Sequence, residues 1–393
     1  MGRRIAAVAV VVGLALGASA REVVVGIAET CPTNRRVEVC SAYATSVYAA
    51  GAIPFVLPAT TNAEVIAAML DRIDLLLLPE TAAQSSGGCI SVKCTSEVSA
   101  DGGCAFHGNA PTYGTAPACG NAPTCGTAPM TGEAWRAALV EGAKARRVPV
   151  VGERGRLKEG LAKVGPRPDR PHARKLVLVP DYCTTNGMTT CYANLAAVIE
   201  RAGFVSFVLP YTTNTNRLVA AVAEGDAMMF GGGMDGQDYK RRCSFEYLVL
   251  APAVKRGMPI AGICHGLQHI NVFLGGKLEP TRQKKGEVAP DVVVHTHKDH
   301  PVFHEAEFAP GSRIARAMGA AKCRVNSWHT LHSAKLGKGL KVTARAPDGV
   351  VEAFEHEALP IMAFQFHPEL MADDPRFVGL VREALSNLKE KSK

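Results

Sequence analysis

The chain has 393 residues, of which 47% are hydrophobic and 20% charged, enough apolar material for one or two packed domains and too much for a disordered or fibrous protein. Its net charge of +8 is scattered, with no basic stripe interleaved with aromatics, which argues against a nucleic-acid partner. Twelve cysteines at this length are too few for a disulfide scaffold.

Met1-Gly2-Arg3-Arg4 is a short basic start, residues 5–16 are nearly all apolar, and Ala18-Ser19-Ala20 has a small-residue cleavage pattern. Residues 1–20 therefore read as a signal peptide, too short and wrongly flanked for a stable membrane span. A buried first strand is the alternative, but the run from Arg21 to Gly26 already supplies one. The expectation is a secreted or periplasmic protein with no stable membrane insertion after cleavage. Loss of Arg3 and Arg4 lowers the net charge from +8 to +6.

Residues 23–79 and 176–231 share an order of landmarks. The first runs Cys31, Asn34, Cys40, Gly51, Phe55-Val56-Leu57-Pro58, Thr60-Thr61-Asn62 and Asp74. The second runs Cys183, Asn186, Cys191, Gly203, Phe207-Val208-Leu209-Pro210, Thr212-Thr213-Asn214 and Asp226. Such recurrence predicts a partial duplication. Residues 21–162 are then a degenerate α/β half that packs against the second or shapes access to it. Continuing the alignment puts Arg154 where the second half has Cys264.

Export predicts that several cysteines pair: Cys31 with Cys40, and Cys183 with Cys191, each closing a loop after the first strand of its half. Cys243 and Cys323 are expected to be buried free thiols. The stretch 84–131 is rich in Gly, Pro, Asn and Thr, carries Cys89, Cys94, Cys104, Cys119 and Cys125, and contains a tandem twelve-residue unit. It cannot build a packed core, so it reads as a surface insert. A Pro-rich linker over 163–174 precedes the third and largest part, residues 175–393.

In that part, short apolar runs at 176–179, 205–209, 227–230 and 258–263 alternate with helical stretches. The pattern predicts a parallel sheet with helices on both faces, with ligands bound beyond the carboxyl ends of its strands. Asp374-Pro375 has the chemistry of a helix start, followed by Phe377, Val378, Val381, Leu385 and Leu388 on one face.

Gly262-Ile263-Cys264-His265-Gly266 follows the apolar run at 258–263 directly. A strand running straight into a helix makes a strained turn that presents its central residue, and the helix N-terminus favours a thiolate there. By itself the segment is equally a small buried cysteine. A second apolar run, 361–366, empties into His367-Pro368-Glu369, which supplies a base and a carboxylate to orient it. Gly231-Gly232-Gly233 also follows a strand end and should meet Cys264 in one crevice.

These segments resemble the class I glutamine amidotransferase-like hydrolases, and among them the γ-glutamyl hydrolases, including γ-glutamyl-γ-aminobutyrate hydrolase. The resemblance rests on 262–268, Asn271-Val272, Gly275-Gly276, the 230–235 loop, Val325-Asn326-Ser327-Trp328-His329 and His367-Pro368-Glu369, within about residues 175–385. It implies a flavodoxin-like α/β fold and a catalytic triad of Cys264, His367 and Glu369. It also implies an oxyanion hole from the N–H groups of Gly232, Gly233 and His265, and a small γ-glutamyl substrate. Gln268, Asn326, Ser327 and His329 are the candidates for substrate contact or site support. A glutaminase component of a larger amidotransferase and a binding protein that keeps the triad unused stay open.

His295, His297, His300, His304, His329 and His332 form a histidine-rich stretch of the kind that binds zinc. No cysteine or carboxylate sits beside them at a ligand spacing, and the resembled family needs no metal. The expectation is crevice-lining or surface histidines, with no metal and no cofactor.

Overall fold

The computed structural model describes residues 22–30, 36–79, 132–152, 156–165, 174–233, 237–281, 293–297 and 300–386. The expected signal segment, the 84–131 insert, Arg154, Cys31 and most of the linker lie outside them.

The first half runs β1 (Val24–Ala28), β2 (Arg36–Cys40), α1 (Ser41–Ala49), β3 (Ile53–Leu57), α2 (Ala63–Leu70), β4 (Leu75–Leu77), α3 (Gly132–Ala145), β5 (Val150–Val151) and α4 (Leu157–Leu161). The second opens in the same way, with β6 (Leu176–Pro180), β7 (Met188–Tyr192), α5 (Ala193–Arg201), β8 (Val205–Leu209), α6 (Thr215–Glu224), β9 (Ala227–Phe230), α7 (Tyr239–Lys255), β10 (Ile260–Ile263) and α8 (His265–Phe273). It continues with β11 (Lys277–Pro280), β12 (Val302–Phe308), α9 (Arg313–Met318), β13 (Lys322–Ser327), β14 (Leu331–Lys335), β15 (Leu340–Arg345), β16 (Val351–His356), β17 (Ile361–Phe364) and α10 (Pro375–Leu385). The apolar runs expected as strands are strands, and fully buried ones, as a sheet covered on both faces requires. Asp374 caps α10 through a hydrogen bond from the Arg376 N–H, and Phe377, Val378, Val381 and Leu385 are buried.

Both halves share one thirteen-stranded sheet, ordered β13-β12-β15-β16-β17-β10-β9-β6-β8-β3-β1-β4-β5. The strands from β17 to β8 are parallel, as are those from β3 to β5, while β16, β15, β12 and β13 extend one edge antiparallel. Helices cover both faces. Side chains from α1, α5, α9 and α10 pack one face, and those from α2, α3, α6, α7 and α8 the other. This is the expected α/β architecture, but the continuity of one sheet through both halves was not legible in the repeat.

The junction is local. Strand β3 meets β8 antiparallel with Val56 opposite Val208, and β2 pairs β7 antiparallel with Glu38 opposite Thr190. Both pairs join positions 152 apart (56 to 208, 38 to 190), so each half faces its counterpart across an approximate two-fold axis. The same spacing recurs in the caps. The Asn62 side chain caps α2 and Asn214 caps α6, while Asp74 accepts from the Val24 N–H and Asp226 from the Leu176 N–H, each at 2.8 Å.

The expected disulfide between Cys183 and Cys191 is absent; both are buried free thiols. Cys191 packs into the core on one face of the sheet and Cys183 into the core on the other, so the sulfurs are directed apart. Cys243 and Cys323 are free, as expected, but partly exposed rather than buried.

Candidate active site

Cys264 stands between β10 and α8 with φ 48° and ψ −101°, a backbone conformation that few non-glycine residues adopt. Flanking glycines make the turn possible. A methyl group on Gly266 would collide with the Phe230 carbonyl, and one on Gly262 would lie 2.8 Å from the carbonyl carbon of Gly266. The Cys264 N–H is fixed by the Phe364 carbonyl at 2.7 Å, which ties the turn to the neighbouring strand β17.

Directly after β17 come Gln365 and Phe366, then His367, whose Nδ1 lies 2.7 Å from Glu369 Oε1. Glu369 sits in the short 3-10 turn Pro368–Leu370 and is itself buried. Because a carboxylate only accepts, Nδ1 carries a hydrogen towards Glu369, which leaves Nε2 as the nitrogen on the Cys264 side. Burial alone would lower the His367 pKa. The charges of Glu369 and Cys264 more than reverse this, holding it well above the ordinary imidazole value. Gly232 lies against both partners: a β-carbon there would be 2.8 Å from His367 Cε1 and 3.8 Å from Cys264 Cβ. Cys264, His367, Glu369 and Gly232, predicted from three separate segments, are thus brought together.

The glycine loop is oriented by a residue that the sequence did not single out. Arg242, fully buried on α7, donates to the Gly231 carbonyl at 2.8 Å and the Gly232 carbonyl at 2.9 Å. A trans peptide points its N–H opposite its C=O, so the N–H groups of Gly232 and Gly233 face away from Arg242. Arg242 also donates to Gln237 Oε1 and stacks over the Tyr182 ring at 4.1 Å. Its Nε is bonded to Glu246 Oε1 at 2.7 Å. The other oxygen of Glu246 reaches His269 Nδ1 at 2.6 Å and His265 Nε2 at 3.3 Å. One buried ion pair therefore links the glycine loop to the residue after Cys264. Burial opposes the charge on Glu246, but Arg242 and the two histidines hold its carboxyl well below the usual range. His265 is pushed down to about 4 by burial and by Arg242. Its backbone N–H is at the first helical position, where no intrahelical acceptor exists.

The four residues expected as substrate contacts or site support each have a protein partner. Asn326 accepts from the His367 N–H at 2.7 Å and donates to the His367 carbonyl at 2.9 Å, so its side chain is committed to the base. Gln268 donates to the Leu331 carbonyl at 2.9 Å and approaches Gln365. Ser327 is bonded to His295, and His329 Nδ1 donates to the Leu331 carbonyl. All four are buried, and Asn326, Gln268 and Ser327 bond across separate segments of the chain, which fits the supporting role.

Comparison with known proteins follows the same segments. The Peptidase C26 family profile matches residues 22–83 and 178–369, on both sides of the insert. A Mycobacterium tuberculosis protein named, by inference, as a glutamine amidotransferase is 34% identical over 211 residues, covering 48% of this chain and 65% of that protein's length. The glutamine amidotransferase-like protein YvdE of Lactococcus lactis is 32% identical over 209 residues, covering 48% of this chain and 85% of the relative. Among solved structures, a glutamine amidotransferase from Thermotoga maritima aligns with 55% of this chain and 97% of its own at 13% identity and a TM-score of 0.40. The chain belongs to the Peptidase C26 family of the class I glutamine amidotransferase-like proteins.

Proposed function

We propose that this protein is a cysteine hydrolase of γ-glutamyl amide bonds. The observation that carries the reading is the strained Cys264 beside a buried imidazole whose far nitrogen is held by Glu369 and whose near nitrogen faces the sulfur. The thiolate attacks the δ-carbonyl, forming the S–C bond and a tetrahedral oxyanion. The N–H groups of His265 and of Gly232 or Gly233 receive that charge. His367 then protonates the leaving amine as the C–N bond breaks, and next removes a proton from water, which releases glutamate from the thioester. Glu369 fixes the imidazole tautomer and supports the imidazolium.

The names of the relatives favour glutamine itself among possible substrates. Release of free ammonia by the isolated chain is the hydrolase outcome, whereas turnover only with a second protein is the amidotransferase outcome. The test compares γ-glutamyl-anilide and glutamine on the wild type and on Cys264→Ala. Turnover that vanishes in the variant, with a γ-glutamyl adduct on Cys264 by mass spectrometry, supports the reading. No turnover of either substrate rejects it in favour of a binding protein.

The first half is best understood as a duplicated unit that has become the structural partner of the second, since equivalent residues meet at both junctions. The first twenty residues would direct export. Sequencing the N-terminus of the mature protein decides that point, with a start near Arg21 expected.

A further inference from the structure

Behind the site, beneath the segment that grips His367, lies a cluster that the proposed hydrolysis does not use. His295, His304 of β12 and His329 converge on Glu352 of β16, a carboxylate with no exposure to solvent. In each ring one nitrogen is already committed as a donor. His304 Nδ1 is 2.9 Å from the Glu305 carbonyl, His329 Nδ1 is 3.0 Å from the Leu331 carbonyl, and His295 Nε2 is 3.1 Å from Asp348 Oδ2. Those acceptors carry no hydrogen, so in the neutral rings of His304 and His329 the remaining nitrogen, Nε2, is a lone pair without a hydrogen-bond partner. The remaining nitrogens of all three rings lie near the same oxygen. His304 Nε2 is 3.3 Å from Glu352 Oε1, His329 Nε2 3.6 Å and His295 Nδ1 3.6 Å.

Lone pairs and a carboxylate collected in a buried space repel one another unless a shared proton or a metal cation lies among them. None of these approaches is an aligned hydrogen bond: His304 Nε2, His329 Nε2 and both Glu352 oxygens have no hydrogen-bond partner. Ser327, 3.3 Å from His295 Nδ1, directs its hydrogen to the His295 carbonyl at 3.0 Å instead. The three distances to Glu352 Oε1 are close to those between ligand atoms around one small ion, because bonds of about 2.0–2.1 Å in a tetrahedron put ligand atoms about 3.3 Å apart. The candidate atoms of His295, His304 and Glu352 all lie within 4.8 Å of one another, and His329 Nε2 approaches the same Glu352 oxygen at 3.6 Å from beside that group.

We propose that His295, His304, His329 and Glu352 form a structural site for a divalent transition cation of the zinc type. The committed nitrogens are the outer support of such sites, with Asp348 completing a carboxylate–histidine–metal relay and two backbone carbonyls fixing the other rings. The four ligands come from four separate segments: the 293–297 loop, β12, the turn after β13, and β16. A closed N3O set leaves no position for substrate, so the ion acts as a clamp. What it clamps is the Asn326-Ser327 segment, and through Asn326 the backbone of His367.

The test uses the full chain, purified without a histidine tag, stripped with a chelator and titrated with Zn(II) against a competing indicator. One tightly bound equivalent and a higher melting temperature are expected. Cobalt in its place should give ligand-field bands without a thiolate charge-transfer band. The equivalent should be lost in Glu352→Gln and in His304→Ala, and weakened about 10–100-fold in Asp348→Asn. Absence of stoichiometric metal in the wild type overturns the proposal, whatever the variants do. So does full retention in the variants, or a thiolate band, which would place the ion on cysteines such as Cys243. Metal content is read independently of turnover, so this result and that of the hydrolysis assay are separable.

Discussion

Asn326 holds His367 by its backbone: the amide oxygen takes the His367 N–H at 2.7 Å and the amide nitrogen gives to the His367 carbonyl at 2.9 Å. The ring itself is left to Glu369 on one side and Cys264 on the other. The base is therefore aimed from its main chain, and removal of the clamp should displace it without touching the substrate pocket. Asn326→Ala should lower kcat by about 10–100-fold with KM changed little, since small misplacements of a catalytic group cost rates of that size. Asn326→Asp keeps the acceptor and loses the donor, so it should fall between the two. A change confined to KM would show instead that Asn326 contacts substrate.

How much of this was legible in the sequence depends on whether a residue's partner is near it in the chain. Cys264 and its glycines, and His367 with Glu369, are local patterns, and each strand expected in the second half forms. Glu352 was missed as a partner of the histidines because it lies two strands and more than twenty residues beyond His329, in a run that reads as ordinary strand. Arg242 and Glu246 sit at the start of α7 in a sequence, Tyr239-Lys240-Arg241-Arg242, that looks like a solvated helix end. Only the packing of α7 against the glycine loop turns Arg242 inward. The Cys183–Cys191 pairing failed for a related reason, since spacing along the chain does not reveal which face of a sheet a side chain takes.

Arg242 should be among the least replaceable residues outside the proposed triad. Its fork holds two adjacent carbonyls while its Nε pairs with Glu246, a geometry that lysine cannot reproduce. Arg242→Lys should lower kcat by about 100–1,000-fold, the range seen when an oxyanion donor is lost. Arg242→Ala leaves Glu246 buried without its cation and should cost about 3–5 kcal/mol of stability. Both follow from parallel kinetics and urea denaturation. If Arg242→Lys retains full kcat, the loop does not depend on the fork.

Gly232 tests the crevice from its other wall. A β-carbon there would lie 2.8 Å from His367 Cε1, and His367 is held at its backbone by Asn326 and at its ring by Glu369. Gly232→Ala should abolish most turnover while leaving the melting temperature within a few degrees, because the added methyl faces the site rather than the core. Gly203→Ala serves as a contrast. A β-carbon at Gly203 meets nothing within 4 Å, but its φ of 96° strains any side chain, so it should lose stability and keep its kcat. The reverse pattern would mean that Gly232 serves only the turn.

The Glu246 cluster should leave a signature in stability against pH. Burial alone would lower the His269 pKa, but contacts with Cys243 at 3.0 Å and Glu246 at 2.6 Å raise it from 6.5 to about 9. A histidine whose pKa is higher folded than unfolded binds its proton more tightly in the folded state. Its stabilisation is therefore complete below about pH 6.5 and is lost as the pH climbs through about 9. Glu246, shifted the other way, gives stability that is present above its ordinary carboxylate range and lost on acidification. The network is strongest between these limits. His269→Gln should thus be less stable than wild type by roughly 1–3 kcal/mol near pH 6, with the gap closing towards pH 10. Urea denaturation of both proteins across that range checks it, and a gap that stays constant would mean that His269 is neutral in the folded protein throughout.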